Sequence, residues 1–251
     1  MPTSLFLPAS SNPIGLANVG SYSSPVFVDI DGDGDLDAMI SDYEGNTRFF
    51  QNTGSAGNPA FAAAVMNPFG LANAGFFANP AFVDIDGDGD MDLFIGEYYG
   101  DTLFFENTGT NSSPAFATAV TNPFGLTSLG YMTSPTFADI DGDGDFDALI
   151  TDYYGDNYFY QNTGTPSAPV FAAPTTNPFG IVNGGIKSKP EFVDFDDDGD
   201  YDLVIGHYSS AVVFNHLFVT ASRSEFVVDA ASEDHDYHQT AEACGIPVTV
   251  L

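Results

Sequence analysis

Basic residues are almost absent from this sequence. Arg48, Lys187, Lys189 and Arg223 stand against 35 acidic residues, and the formal net charge is −31. A protein that binds nucleic acid through its phosphates needs a basic surface, and anionic lipids repel a chain of this charge. The composition therefore excludes an electrostatic nucleic-acid interface, disfavours membrane surfaces and indicates cations as partners.

The sequence also lacks the features that stabilise, anchor or activate several other classes of protein. Cys244 is the single cysteine, so no intrachain disulfide can form. No apolar run is long enough to span a bilayer, and no GxSxG, HExxH or P-loop motif is present. We therefore expect a soluble protein that is not an enzyme.

What the sequence does contain is a repeat of 55 residues. The segments FVDIDGDGDLDAMI, FVDIDGDGDMDLFI, FADIDGDGDFDALI and FVDFDDDGDYDLVI begin at residues 27, 82, 137 and 192. A second marker, NPIG or NPFG, begins at Asn12, Asn67, Asn122 and Asn177. A constant spacing predicts an array of similar structural units. These markers place the repeats at about 12–66, 67–121, 122–176 and 177–231.

Each repeat contains four strand-like segments separated by turn residues. In the first repeat these segments are 25–28, 37–41, 47–52 and 59–63, and Gly, Pro, Asn and Asp lie between them. No segment has a convincing helical period. Four short antiparallel strands per repeat predict a blade, and four repeats predict an all-β, β-propeller-like fold of four blades. An open or linear stack of blade-like units is the alternative.

One predicted strand is left over. An aromatic residue marks the fourth strand of every repeat, at Phe61, Phe116, Phe171 and Phe226. Phe6 lies 55 residues before the first of these, so residues 1–11 are a further candidate for the same place. We expect one repeat domain over residues 1–231 and a C-terminal tail with an apolar end over 232–251. Either one terminal strand displaces the other, or the spare strand adds to the sheet edge of another molecule.

Aspartates occupy every second position of the loop after the first strand of each repeat. They fall at positions one, three, five, seven and nine, with glycine at six in the first loop. This is the spacing of calcium loops, which use carboxylate oxygens from alternate residues. Two carboxylates ~4 Å apart repel by about 4 kcal/mol at an effective dielectric of ~20, so a cation is needed among them. The expected ligands are Asp29, Asp31, Asp33, Asp35, Asp37, Asp84, Asp86, Asp88, Asp90, Asp92, Asp139, Asp141, Asp143, Asp145, Asp147, Asp194, Asp196, Asp198, Asp200 and Asp202.

The loop differs from the helix-flanked EF-hand. Position twelve is Ile40 in the first repeat, inside a predicted strand, where an EF-hand has glutamate. We therefore predict a β-flanked loop closed by the ninth-position carboxylate. About four Ca²⁺ ions, one per repeat, are expected. Mg²⁺ suits the loop less well, because it demands octahedral geometry and usually retains several waters.

The aspartate pattern, the apolar strand after it and the segments FFQNTG, FFENTG and YFYQNTG together resemble a known family. They are similar to the FG-GAP or VCBS repeats of bacterial surface proteins and of the integrin α-subunit propeller. The resemblance covers residues 4 to about 230 and implies an extracellular β-propeller with structural calcium and surfaces for adhesion or assembly. Two features depart from the family: four blades are few, and the last repeat has FNHLFV in place of the NTG segment.

Two functions remain open at this point. The first is an extracellular or cell-surface structural protein that self-assembles into a filament or layer, with an unpaired terminal strand (4–7 or 246–251) added to a neighbour. The second is a calcium-dependent lectin. Its sugar pockets would use Tyr43, Tyr98, Tyr153 and Tyr208 together with acidic Asp42, Glu97 and Asp152.

Overall fold

The computed structural model describes residues 14–194, 201–208, 211–214, 226–228 and 248–250. These residues form an all-β, propeller-like fold of four sheets that follow one another along the chain. The predicted N-terminal strand at 1–11 lies outside the described residues. Among those that are described, no helix is long and apolar enough to cross a membrane.

Each sheet is a meander in which successive strands are neighbours. The first sheet is β1 (Ser24–Val28), β2 (Asp37–Ser41), β3 (Thr47–Phe50) and β4 (Val65–Met66). The second is β5 (Asn79–Val83), β6 (Asp92–Gly96), β7 (Thr102–Phe105) and β8 (Val120–Thr121). The third is β9 (Ser134–Ala138), β10 (Asp147–Thr151), β11 (Asn157–Tyr160) and β12 (Thr175–Thr176). The fourth is β13 (Lys189–Val193), β14 (Asp202–Gly206), β15 (Ala211–Phe214), β16 (Phe226–Val228) and β17 (Val248–Val250).

All pairs in the first three sheets are antiparallel, and their registers repeat. Val28 faces Asp37 at the start of β2, as Val83 faces Asp92 and Ala138 faces Asp147. The fourth sheet ends differently, because β17 pairs in parallel with β16. The apolar end of the predicted C-terminal tail therefore lies on the edge of this chain's own sheet.

The second strand of each of the first three sheets buries both of its faces. Successive strand residues point to opposite sides. In β6, Leu93 and Ile95 pack toward the first sheet, whereas Phe94 packs toward the third. This explains why these segments read as continuous apolar runs, and it places one apolar cluster between each pair of consecutive sheets.

The first and fourth sheets meet through polar groups. Lys189 Nζ donates a hydrogen bond to Ser24 Oγ at 2.6 Å, and Lys187 Nζ lies 4.6 Å from the centre of the Tyr22 ring. The apolar clusters formed by the described residues include none that joins these two sheets; the outer face of β2 packs on Leu16, Val19 and Phe61 instead. The two ends of the repeat array are thus in contact, and the chain's only two lysines make that contact.

The predicted fourth strand is displaced. The sequence places it at 59–63, but β4 is Val65–Met66, and Phe61 makes only a single bridge with Asn52. Asn52 Oδ1 accepts hydrogen bonds from the amides of Gly54 and Ala60 at 3.1 and 3.0 Å. This side chain closes the connecting loop, so the chain resumes strand pairing only after it.

Candidate metal centre

The aspartate loops, residues 29–37, 84–92, 139–147 and 194–202, join the first and second strands of the four sheets. In the first loop, Asp29 Oδ1 accepts a hydrogen bond from the amide of Asp33 at 3.1 Å, and Oδ2 accepts one from Gly34 at 3.0 Å. Gly34 has φ +92°, a backbone conformation that residues other than glycine rarely adopt. The first aspartate and this glycine together fold the loop back on itself.

Three carboxylates converge in each of the first three loops. One oxygen from each member lies within 4.8 Å of the others in the triplets Asp29/Asp31/Asp33, Asp84/Asp86/Asp88 and Asp139/Asp141/Asp143. These are positions one, three and five of the predicted ligand set. Of the fourth loop, the structure describes Asp194 and Asp202, while Asp196, Asp198 and Asp200 lie outside the described residues.

Positions seven and nine are buried beneath the triplet. Asp35 and Asp37 of the first loop are 8% and 1% exposed. Asp37 begins β2 and accepts a hydrogen bond from the amide of Asn52 at 2.7 Å through Oδ1. The same bond joins Asp92 to Asn107 and Asp147 to Asn162. The ninth aspartate therefore connects the loop to the third strand.

Several carboxylate oxygens in these loops are buried without a hydrogen-bond partner. A buried polar atom of this kind costs roughly 1–3 kcal/mol, and more when it is charged. Such atoms belong to Asp31, Asp35, Asp37, Asp86, Asp90, Asp92 and Asp145. Oxygen atoms left unsatisfied beside a carboxylate triplet fit a hard divalent cation, which prefers carboxylate ligands. The donor set, all oxygen, offers nothing to a soft metal.

The same burial perturbs the ninth-position acids. Desolvation raises the pKa of Asp37 to about 6 and the pKa values of Asp92 and Asp147 to about 7, and nearby aspartates of the same loop add to the shift. The hydrogen bonds from the Asn amides act in the opposite direction. Without a cation, these carboxyl groups therefore hold a proton well above the ordinary range for aspartate.

A glutamine from the third strand supports the loop, and the sequence analysis missed it. Gln51 Nε2 donates to Asp31 Oδ2 at 2.9 Å, and Gln161 Nε2 donates to Asp141 Oδ2 at 2.7 Å. Both belong to the repeated segment that ends in NTG. The 55-residue spacing alone would have identified them.

The repeated tyrosines lie at the opposite end of the second strands, ~17 Å from the loops for a five-residue strand. Tyr43, Tyr98 and Tyr153 join other rings in one open groove of about 460 Å³, whereas Tyr208 does not line it and is exposed. Phe77 and Tyr98 stack with ring centres 5.6 Å apart. The groove is lined by Tyr43, Phe76, Phe77, Tyr98, Tyr99, Tyr131, Met132, Tyr153 and Lys187.

The acidic partners predicted for these tyrosines have a different role. Asp42, Glu97 and Asp152 are buried. Glu97 Oε1 accepts hydrogen bonds from the amides of Tyr99 and Asp101 at 2.9 and 3.1 Å, and the other two cap their turns in the same way. Each carboxylate is thus bound by its own turn, and contact of these acids with a sugar stays a prediction.

Comparison with known proteins gives one family match. The model of the FG-GAP-like repeat matches residues 29–95, 84–150 and 139–205, which together span more than half of the chain. No curated protein matches the sequence.

Solved structures resemble the chain at low identity. A component of the Tc holotoxin pore of Photorhabdus luminescens shares 18% identity over 74% of this chain and 8% of that one, with a TM-score of 0.44. An Agrocybe aegerita lectin that recognises non-reducing terminal N-acetylglucosamine shares 18% over 87% of this chain and 54% of that one, with a TM-score of 0.48. Saccharomyces cerevisiae Sqt1 shares 12% over 71% and 41%, with a TM-score of 0.39. This chain thus spans about half of the lectin chain and a smaller share of the other two chains. All three TM-scores are below 0.5, so these similarities carry no argument about function.

Proposed function

The chain belongs to the family of FG-GAP-like repeat proteins, and from this premise we propose that it is an extracellular structural or adhesion protein whose repeats are stabilised by calcium. The observation that carries the proposal is the set of buried, unpartnered carboxylate oxygens beside each of the three described aspartate triplets. Bound Ca²⁺ would neutralise the loop and accept these oxygens as ligands.

The chain's own residues prepare the loop for that role. The first aspartate folds the turn through two backbone amides, and the ninth is held by the amide of the third strand. The loop therefore links the first three strands of a sheet. Because each sheet packs on the next, an ion that rigidifies the loop also stabilises the stack.

The negative charge supports bound calcium, and the usual affinity of such loops supports an extracellular setting. Four divalent ions would add eight charges and change the formal net charge from −31 to −23. Calcium sites of extracellular modules commonly have Kd values of about 10⁻⁴–10⁻³ M, which calcium outside cells can fill. We place the protein outside the cell or on its surface for this reason.

The proposal also includes self-assembly through strand addition. Strands β4, β8 and β12 are two-residue edges whose side chains are exposed. An added strand from another copy would pair with such an edge, and a contact that does not close would propagate into a filament or layer. The candidate donor is the apolar segment within residues 1–11, which matches the register of the fourth predicted strand.

Light scattering in millimolar calcium and after chelation, with circular dichroism alongside, tests this function. Large assemblies that dissociate or unfold on chelation would support it, and deletion of residues 1–11 should then give a soluble monomer that binds calcium. A protein whose fold and size do not change on chelation would contradict the calcium role. Assembly that survives the deletion would contradict the strand-addition role alone.

Carbohydrate binding is the second candidate, and the aromatic groove favours it. Tyr99 and Tyr154 are 66% and 63% exposed, and exposed aromatic faces at one end of a rigid scaffold suit the apolar face of a sugar ring. A glycan array probed with calcium present tests this candidate. Binding that is lost in Tyr98→Ala would support it, whereas the absence of any bound glycan would count against it.

A further inference from the structure

The second aspartate loop differs from the first and third at one supporting position. Residues 51, 106 and 161 are equivalent by the 55-residue repeat, and they are Gln51, Glu106 and Gln161. Both glutamines donate a side-chain hydrogen bond to the third-position aspartate of their loop. Glu106 replaces that donor with a carboxylate, which cannot donate to another carboxylate when both are ionised.

Glu106 therefore adds charge to a loop that already carries an excess of it. The backbone places Glu106 as it places the two glutamines. Its carbonyl accepts a hydrogen bond from the Ala117 amide at 2.8 Å, as Gln51 and Gln161 accept one from Ala62 and Ala172. An added carboxylate at this place is repulsive unless a cation lies among the acids.

Buried oxygens in this loop independently indicate a ligand. Asp90 is 7% exposed and Asp92 is 1% exposed, and each has one carboxylate oxygen without a hydrogen-bond partner. Asp86 has a third such oxygen, and Asp86 is the residue whose equivalents in the other two loops receive the glutamine hydrogen bond. The first and second loops thus have three unpartnered buried oxygens each, and only the second lacks the neutral glutamine donor.

We propose that Glu106 is an additional metal-binding group of the second aspartate loop, so that this loop binds a divalent cation more tightly than the first and third loops do. The proposal rests on the calcium role proposed above. Its physical reason is that the number of charged ligands tunes affinity in calcium loops. Among the first three repeats, the second would then fill first.

Single tryptophans can report each loop separately, because the chain contains no tryptophan. Met91 and Leu36 are equivalent residues at position eight of the second and first loops, and both are exposed. In Met91→Trp and Leu36→Trp variants, Tb³⁺ is the probe: tryptophan is excited where tyrosine does not absorb, and Tb³⁺ emission is recorded. Displacement by Ca²⁺ then gives the calcium affinity of the reported loop.

Two reciprocal substitutions test the role of Glu106. Glu106→Gln in the Met91→Trp background installs the residue that the first and third repeats already have, so the fold should tolerate it. We expect the affinity of the second loop to fall about 10-fold or more. Gln51→Glu in the Leu36→Trp background should raise the affinity of the first loop.

The readouts separate this inference from the function on which it rests. In the Leu36→Trp background, Glu106→Gln should leave the first loop unchanged, which excludes a general loss of folding. Equal affinities of the second loop with Glu106 and with Gln would overturn the role of Glu106 while leaving the calcium role intact. No Tb³⁺ or Ca²⁺ binding at either reporter would overturn both.

Discussion

At the scale of single residues, the ninth aspartates of the first three loops are the most deeply buried carboxylates of those loops. Asp37, Asp92 and Asp147 are each 1% exposed and begin a buried strand. A carboxyl group in this place is ionised only at a cost, which the amide of one asparagine offsets in part. In the metal-free protein these carboxyl groups must therefore either be protonated or remain as buried negative charges.

This conflict predicts how the stability of the metal-free protein depends on pH. The folded pKa values of about 6 to 7 lie above the ordinary value of 3.8. Between these two pKa values the folded state binds more protons than the unfolded state. The stability that these groups contribute is therefore fully present below pH ~4 and is lost as the pH rises through 6 to 7. Thermal unfolding of desalted, metal-free protein should give a lower Tm at pH 7.5 than at pH 5.

Calcium and one substitution provide the controls for this experiment. With saturating Ca²⁺ the decrease should disappear or reverse, because the ion requires the ionised form. Asp92→Asn removes one titrating group and should reduce the pH dependence of the metal-free protein. A metal-free Tm that rises from pH 5 to pH 7.5 would contradict the assignment.

One glycine is required because of a close approach between repeats. Gly100 has φ +88°, and a Cβ placed on it would overlap the backbone of Gly130 in the next repeat. Gly130 also has a positive φ, of +99°, but a Cβ there would meet nothing within 4 Å. A side chain at either position would be strained by the positive φ. Only the position of Gly130 has space for a Cβ.

Gly100→Ala should therefore destabilise the protein much more than Gly130→Ala. Strain in either variant costs about 1–3 kcal/mol, and only the first adds a backbone collision that no side-chain rotation can relieve. Urea denaturation in calcium measures the difference. Equal midpoints for the two variants would show that the turn and the neighbouring loop are not held at the observed distance.

At the scale of elements, the Asn-Pro-Phe-Gly turn joins each repeat to the next. Asn122 has a left-handed backbone (φ 48°); its Oδ1 accepts a hydrogen bond from the amide of Thr102 at 2.8 Å, and its own amide donates to the Thr102 carbonyl at 2.8 Å. Two residues later, the Phe124 carbonyl accepts a hydrogen bond at 2.7 Å from the amide of Phe171, which follows β11 of the third sheet. The turn ends one sheet and positions the following unit.

Asn122→Ala should lower stability by about 1–3 kcal/mol. The buried Thr102 amide would lose its acceptor, and alanine tolerates the left-handed conformation less well than asparagine. Chemical denaturation measures the effect, with exposed Thr121→Ala as the neighbouring control. A loss no larger than that of the control would indicate that water replaces the side chain without penalty.

At the scale of the whole molecule, the contact between the first and fourth sheets is unlike the other three. Apolar clusters join consecutive sheets, whereas Lys187 and Lys189 make the contact with Tyr22 and Ser24. Hydrogen bonds and cation–π contacts at partly exposed sites contribute about 1 kcal/mol each, less than a buried apolar interface. We call this contact between the first and fourth sheets the seam, and we infer that it is the first part of the array to open.

Lys189→Ala should loosen the seam selectively. Hydrogen exchange is expected to increase in β1 and β13, with β6 and β10 unchanged, because the substitution removes the bond that joins these two strands. Asn79→Ala, at the equivalent position of the second sheet, provides a control variant whose effect should remain between the second and third sheets. Equal acceleration across all four sheets would contradict a local seam.

The sequence predicted the repeat, the four sheets and the identity of the aspartate loops. The bounds of β2 agree with the predicted segment, and the FG-GAP-like family is confirmed. The fourth strand was misplaced because the side chain of Asn52 closes the preceding loop, an interaction that composition does not reveal. The bonds of Asp42, Glu97 and Asp152 to their own turns could not be predicted, because only coordinates show which amides a carboxylate accepts from.

The sequence by itself thus determined the unit: its length, its strand pattern and an acid spacing typical of calcium loops. The tertiary structure decided how those units are combined. It gathered Tyr43, Tyr98 and Tyr153 into one groove, buried the ninth aspartates and brought the two lysines against the first sheet. The reason is physical: spacing along the chain fixes local geometry, whereas burial and contact between repeats depend on how each sheet packs against its neighbours.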